Sequence, residues 1–441
     1  MQQRKRVLIV SHLFYPHPSV ASVRVTQWCR FLPEFDWQPL VLCQYQGHLA
    51  TPELLREKVH PDVQVEYFDS PAHEGTPAPP VKHPLWMRAA LRWPFYIWPV
   101  PDTSILTFWR RARFKVLDFV RRYQPDVILT TSPPHAFHYV GLWLAKRVNI
   151  PWVADFRDPY IIDSRFQLRG KRRVRWRAHK NYERRIYEQA ALILHAIPSH
   201  ARWARMAYPF ARDRIVTLPN GCPPELLEGR VTPSLAEAGC RSIRVIGSLY
   251  SDEAELLARA VKVLIESGAN VELRIVGGTL TPTETDSLRQ VLGDKLVAFG
   301  AVSHEQALEQ VAGADVLICS LNRRRSQGVG LSSKLFEYLA TGKPIIVINP
   351  TQSDRQFLRK FQGTRLLQTP DVKQLTQSLE WALEPAALPP ASQNEMLSMH
   401  YNRRTQTQQL ARWLSRVATP AATSSGWHMP FTKGELLSKK E

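Results

Sequence analysis

The stretch richest in possible chemistry runs from Gly328 to Ile346. A glycine loop, with Gly328 and Gly330, leads to a serine N-cap candidate, a short helix from Ser333, Gly342 as its stop, and then a strand. The unpaired N–H groups and positive dipole end of such a helix start suit an anion, a diphosphate above all. Lys334 lies in the first turn, where the dipole disfavours a cation; a bound phosphate would offset that. Glu337, further along, can accept hydrogen bonds from two adjacent hydroxyls, as a ribose presents; the alternative is a capping or salt-bridging glutamate. Gly247, followed by Ser248, and Gly277, followed by Gly278, each come directly after a strand-like run. A bare backbone there lets a ligand approach closely, and in an open parallel sheet both strand ends share one crevice. Plain turn glycines are the alternative. In the first half, Arg157 and Asp158 follow another such run, placed to orient an acceptor or steady a developing charge, or to close a loop as an ion pair. His12, His135 and His138 rank below them, because a lone histidine near a strand end is more often structural.

Several chemistries are excluded. Ser11–Val20 contains no glycine, so the dinucleotide fingerprint is missing after the first strand, and no Walker A sequence occurs. No D-x-D triplet is present, which argues against gripping a diphosphate through a divalent metal. Cys29, Cys43, Cys222, Cys240 and Cys319 are scattered, with no CxxC pair; they read as reduced structural thiols.

These residues need a scaffold of alternating strands and helices. Apolar runs of strand length recur at Val7–Val10, Pro39–Leu42, Val63–Tyr67, Val127–Thr130, Trp152–Ala154, Leu192–His195 and Ile215–Leu218. After the turn residues 219–224 the alternation restarts with Ile243–Ile246, Val271–Val276, Leu296–Phe299, Val316–Cys319, Ile345–Ile348 and Arg365–Leu367. Helical patterns fill the intervals, as βαβ units around parallel sheets require. The expected class is α/β, two Rossmann-like domains: residues 1–222, with a proline- and aromatic-rich insertion over 70–101, and residues 223–400. A helix over 401–418 and a poorly ordered tail over 419–441 follow. A chain of 441 residues exceeds what one core usually organises.

Val7–Val10 is too short for the apolar core of a signal peptide, so a cytoplasmic protein is expected. The net charge of +19 implies a polyanionic partner. Part of that charge lies in Arg165–Lys180, which has no acid and carries Phe166, Leu168 and Trp176 as apolar anchors. It suits a helix on anionic lipid headgroups, peripheral to the membrane, or else a solvated basic face. No nucleic-acid reader motif accompanies it, so no nucleic-acid partner is expected.

The segment Ser333-Lys-Leu-Phe-Glu-Tyr-Leu-Ala-Thr-Gly-Lys-Pro344 resembles the nucleotide-binding segment of family 4 glycosyltransferases with the GT-B fold. Other segments agree in order: Phe14-Tyr-Pro16 with Arg24, Asp126–Pro134, Ile150–Pro159 with its Asp-Phe-Arg-Asp-Pro, Leu218–Gly221, Phe299-Gly300 and Ala314-Asp315. The resemblance implies two facing domains with a cleft between them, a nucleotide-diphosphate sugar bound by the second, and a glycan or lipid-linked acceptor held by the first. It further implies retention at the anomeric carbon, with positive groups in place of a metal and no cofactor. Glu337 would be the ribose-holding second acid of the family's E-x7-E pattern; the first position is Val329 here. The family's phosphate-binding Arg and Lys are replaced by Ser248 and Asp252-Glu253, leaving Lys334 and one of Arg323, Arg324 or Arg325 as substitutes. Arg157 falls about where relatives carry a histidine near the reacting sugar. A nucleotide-sugar 2-epimerase and a non-catalytic nucleotide-sugar-binding protein are the rival readings.

Overall fold

The computed structural model describes residues 4–17, 20–44, 59–67, 113–160, 173–247, 249–277, 280–321 and 331–419. The expected insertion at 70–101 and the tail beyond 419 lie outside them.

Seven parallel strands form the first sheet: β1 (Lys5–Ser11), β2 (Trp37–Cys43), β3 (Gln64–Tyr67), β4 (Val127–Ser132), β5 (Trp152–Phe156), β6 (Leu192–His195) and β7 (Ile215–Thr217), in the order 3-2-1-4-5-6-7. Helices α1 (Val20–Phe31), α2 (Arg113–Tyr123), α3 (His138–Leu144), α4 (Arg173–Gln189) and α5 (Pro198–Ala207) accompany it. The strands read as unbroken apolar runs because both faces are covered. Alternation along them divides the core in two. Leu8, Val10, Ile128 and Trp152 belong to one cluster with Phe119 and Tyr187, while Val7, Ile9, Val127 and Val153 belong to another with Trp28 and Leu32.

The second sheet has six parallel strands: β8 (Arg241–Ile246), β9 (Val271–Val276), β10 (Leu296–Phe299), β11 (Val316–Ser320), β12 (Ile345–Ile348) and β13 (Thr364–Leu367), in the order 10-9-8-11-12-13. Its helices are α6 (Pro224–Leu227), α7 (Ser251–Glu266), α8 (Pro282–Leu292), α9 (His304–Ala312), α10 (Ser333–Leu339), α11 (Gln352–Leu358), α12 (Val372–Leu383) and α13 (Ala391–Tyr401). Local sequence fixes several starts. Thr281 with Glu284, Ser303 with Gln306, Thr351 with Asp354 and Asp371 with Gln374 all form reciprocal capping boxes. In both sheets the strand order reverses once, between β1 and β4 and between β8 and β11. Those two points are where open α/β sheets leave a crevice for a ligand.

The chain divides into two compact units, Met1–Pro219 with Thr407–Glu441, and Asn220–Gln406. The last helix, α14 (Arg403–Ala418), therefore starts in the second unit and continues in the first. There Leu410, Ala411 and Leu414 are buried with Val7, Ile9 and Trp37, and the Trp37 indole donates to Ser415 Oγ at 3.2 Å. Among the described residues no helix is long and apolar enough to cross a membrane.

The first unit also buries an unusual set of histidines. His138 Nδ1 meets Thr130 Oγ1 at 2.9 Å, and Tyr187 OH meets His195 Nε2 at 2.9 Å. His195 Nδ1 in turn meets His200 Nδ1 at 3.0 Å. Burial holds His138 and His195 well below the ordinary imidazole range and pushes His200 down to about 3. All three rings are neutral parts of the core. This accords with the low rank given to His138 as a chemical group.

Candidate functional site

The second sheet assembles the densest group of expected site residues. β8 ends at Ile246, beside the point of strand-order reversal, and Gly247 follows with φ +94°. β9 ends next to it, and Gly277 follows with φ +146°. Neither conformation suits a side chain, and a Cβ on Gly277 would collide with the carbonyl of Gly247. Both positions are glycine because two backbones pass each other there.

A Cβ on Gly247 would meet the Nζ and Cε atoms of Lys334. The lysine of the α10 first turn thus lies directly over the end of β8. What holds it there is the buried face of its helix, Leu335, Phe336, Tyr338 and Leu339. Tyr338 OH accepts from the Ile246 amide at 3.1 Å, tying α10 to the strand that precedes Gly247. Lys334 is half-buried and makes no ion pair or hydrogen bond among the described residues. The N-cap of α10 is Ser332, without a side-chain cap bond, and Ser333 is the first helical residue. At seven residues α10 has a weak dipole, so the ammonium is the main source of positive charge at this spot.

Glu337 follows Lys334 by one turn and has partners of its own. Its Oε1 accepts from Arg403 Nη2 at 3.1 Å and lies 3.8 Å from His304 Nε2. The salt-bridging alternative is therefore realised, but only at one oxygen; Oε2 has no partner among the described residues. Arg403 also donates from Nε to the Gly221 carbonyl at 2.9 Å. The acidic pair of α7 has a structural task. Glu253 receives hydrogen bonds from Ser320 at the end of β11 and from Asn349 Nδ2, at 2.7 Å, after β12. Burial raises its carboxyl above the usual range, against those two bonds. Cys319 is not a nucleophile here, since burial pushes its thiol up to about 12. Among the described residues no three histidine, cysteine or acidic side chains are grouped to hold a metal. Ser248, Gly278, Gly328, Val329, Gly330 and Arg323–Arg325 lie outside the described residues.

In the first unit the end of β5 is organised by two arginines. Arg157 donates from Nε to the Ser132 carbonyl at 2.9 Å and from Nη2 to the Pro133 carbonyl at 2.9 Å. Burial lowers its pKa, opposed by the charges of Asp155 and Asp158. A buried charge pair, which the sequence did not reveal, joins Arg24 and Asp155. Arg24 meets both carboxylate oxygens, at 2.9 and 3.2 Å, and Thr131 Oγ1 donates to the same carboxylate at 2.8 Å. Arg24 also caps the Leu218 and Pro219 carbonyls. Asp155 is fully buried, so Arg24→Met strands a charge in the core and should cost about 3–5 kcal/mol. Urea unfolding would measure this; a loss below about 1 kcal/mol would mean the pair is solvated. His12, just past β1, is 2.9 Å from Gln44 Oε1 and edge-on to Phe137.

With this geometry in view, comparisons decide the family. A model described as "Glycosyl transferase 4-like domain" matches residues 21–221, and one described as "Glycosyl transferases group 1" matches 241–384. Between them they take in most of the chain. It is a GT-B glycosyltransferase family member. No curated protein sequence matches it. Among solved structures, a glycosyltransferase from Rickettsia africae is 12% identical with a TM-score of 0.59, covering 95% of this chain and 100% of its own. Anabaena Alr3699/HepE in complex with UDP and glucose is 16% identical with a TM-score of 0.59, covering 94% and 100%. A UDP-N-acetylglucosamine 2-epimerase is 11% identical with a TM-score of 0.56, covering 97% and 100%. At these identities the likeness is one of fold: two Rossmann-like α/β domains. The boundary of the two family matches, between 221 and 241, brackets α6 and leaves Gly247, Gly277, Lys334 and Glu337 in the group 1 half.

Proposed function

We propose that this glycosyltransferase family member takes a nucleoside diphosphate sugar as donor and transfers its sugar to an acceptor. The observation that carries the reading is Lys334, an ammonium without a counter-charge among the described residues, laid over Gly247 where the second sheet's order reverses. A diphosphate there would meet the ammonium and the bare backbone of Gly247 and Gly277. The free Oε2 of Glu337 suits the ribose hydroxyls, with Arg403 fixing the carboxylate's orientation. Charge that develops on the departing diphosphate is stabilised by Lys334 without a metal, and the anomeric configuration is retained as in the family. Gly328, Gly330, Ser248 and Ser333 complete the donor loop in this proposal. Arg157 and Asp158 serve the acceptor side on the first domain. A lipid-linked or cell-envelope acceptor fits a protein that works on the inner face of a membrane, with Arg165–Lys180 against anionic headgroups.

Differential scanning fluorimetry with UDP- and GDP-sugars tests the donor class. Stabilisation of the wild type by one of them is expected, and it should be reduced in Glu337→Ala. No shift with any nucleotide sugar would reject the reading. Conversion of the donor into an isomer without acceptor would point to epimerisation, the activity named for one structure of similar fold.

A further inference from the structure

On the first domain, α3 and α4 enclose a cavity of about 250 Å³ that the donor cradle does not involve. Tyr139, Leu142, Trp143 and Lys146 line it from α3 and the turn after it, at the 0, 3, 4, 7 spacing of one helix face. Tyr182, Arg185 and Gln189 line it from one face of α4. Two kinds of surface therefore meet. Tyr139 and Tyr182 stack at 6.1 Å with their planes 18° apart, and Trp143 carries the Arg147 guanidinium 4.5 Å from its ring centre. Around these rings stand three cations, Lys146, Arg147 and Arg185, and among the described residues no carboxylate lines the cavity. Lys146 and Arg185 are exposed and have neither an ion pair nor a hydrogen bond among the described residues. The two acids of α4 are otherwise engaged: Glu188 pairs with Arg184 at 2.8 Å, and the buried Glu183 accepts from Tyr208 OH at 2.7 Å.

We infer that this groove binds a sugar phosphate. Three like charges gathered around one cavity repel one another, and an anion seated among them removes that penalty. The aromatic walls offer flat apolar faces to a sugar ring, and the Gln189 amide can both donate to and accept from a hydroxyl. The cavity is smaller than a drug-sized pocket, which suits one phosphorylated ring rather than a whole nucleotide sugar. Tyr182 OH donates to the His135 carbonyl at 2.9 Å, so one end of the groove abuts the turn that leaves β4. The same chemical group occurs free in solution or as the head of a phospholipid-linked sugar.

The test uses the full chain in three forms: wild type, Lys146→Gln/Arg185→Gln, and Lys334→Gln. Glucose 1-phosphate is titrated by calorimetry, and co-sedimentation is measured with phosphatidylcholine vesicles carrying polyprenyl-phosphate glucose, against phosphatidylglycerol vesicles of equal charge. The proposal expects wild type and Lys334→Gln to bind glucose 1-phosphate equally, and the double variant to bind about tenfold or more weakly. Glucose alone and inorganic phosphate alone should both bind more weakly than the ester. If the free ester does not bind but the double variant loses association with the glycolipid vesicles and not with the phosphatidylglycerol ones, the group is recognised on lipid and the groove assignment stands; an equal loss on both overturns sugar recognition. Binding abolished by Lys334→Gln and untouched by the double variant would overturn it, placing the phosphate in the donor cradle. So would ester and vesicle binding that are both indifferent to Lys146 and Arg185. Both side chains are exposed and unpaired among the described residues, so an unchanged melt of the double variant separates lost binding from lost fold.

Discussion

Exchanging Lys334 for glutamine is expected to lower kcat/KM for sugar transfer by about 10²–10³-fold, with the melting temperature within about two degrees of the wild type. The two halves of that expectation come from the same fact. The ammonium has no ion pair or hydrogen bond among the described residues, so removing its charge breaks no bond that holds the fold. It lies half-buried against the Gly247 backbone, where water screens it less than on an open surface and each charge contact with a departing diphosphate counts for more. Single-turnover kinetics with saturating acceptor would place the loss in the chemical step rather than in donor binding alone. A drop smaller than about threefold would remove Lys334 from the reaction. Gly247→Ala offers a geometric cross-check. Its added methyl displaces the same ammonium without altering charge, and should reproduce part of the loss.

The second large effect is an acid instability confined to the first domain. His138, His195 and His200 are buried and neutral, their pKa values depressed mainly by desolvation. In the unfolded chain each titrates near 6.5, so below that pH the unfolded state binds more protons than the native one. Stability is fully present above about pH 6.5 and falls as the pH drops, by about 1.4 kcal/mol per unit for each ring. Three rings together remove about 6 kcal/mol between pH 7 and pH 5, a sizeable part of the stability of a domain. His195 and His200 share a hydrogen bond and so titrate as a pair, and the slope belongs to the pair. In the second domain two buried carboxyls act with the opposite sign, against the exposed Glu284, whose hydrogen bonds from Ser251 and Thr281 lower its pKa. Glu253 and Asp354 have raised pKa values, chiefly from burial, and take up protons in the native state before the unfolded one does as the pH falls toward 4. Urea unfolding at pH 7, 6 and 5 should therefore split into two transitions, with the first domain melting earlier as acid is added. His200→Leu should flatten that dependence by about one proton. A single transition with a slope below one proton would show that the cluster admits water.

The central strands were legible because parallel strands covered on both faces are written as apolar runs, whereas the edge strands β3 and β13, only partly buried, carry a weaker signal of the same kind. The helices were legible where a capping box or an apolar stripe marks them, as in α9 and α12. Helices α4, α5 and α13 left a fainter trace. The exposed face of α4 is nearly all basic, and α13 has few apolar positions to set a period. Of the candidate site, the glycines after β8 and β9 and the lysine of α10 announced themselves through local rules of conformation and charge. Pairings made across the fold did not. Arg24 and Asp155 are 131 residues apart, Glu337 and Arg403 are 66 apart, and no local pattern in either segment encodes the other. Arg157 was noticed for its place at a strand end, but its bonds to the Ser132 and Pro133 carbonyls depend on how β4 lies beside β5.

The return of α14 to the first domain matters while the protein is being made. The segment Met1–Pro219 emerges from the ribosome first, yet the patch around Val7, Ile9 and Trp37, which Trp28 of α1 and Leu32 just after it cover in part, is not closed until Leu410, Ala411 and Leu414 follow. About 190 residues separate those events, which at roughly 5–20 residues per second is about 10 to 40 s. During that interval a greasy surface waits for its lid, open to chaperones and to neighbouring nascent chains. A stop codon before Leu410 would therefore injure the domain that was translated first.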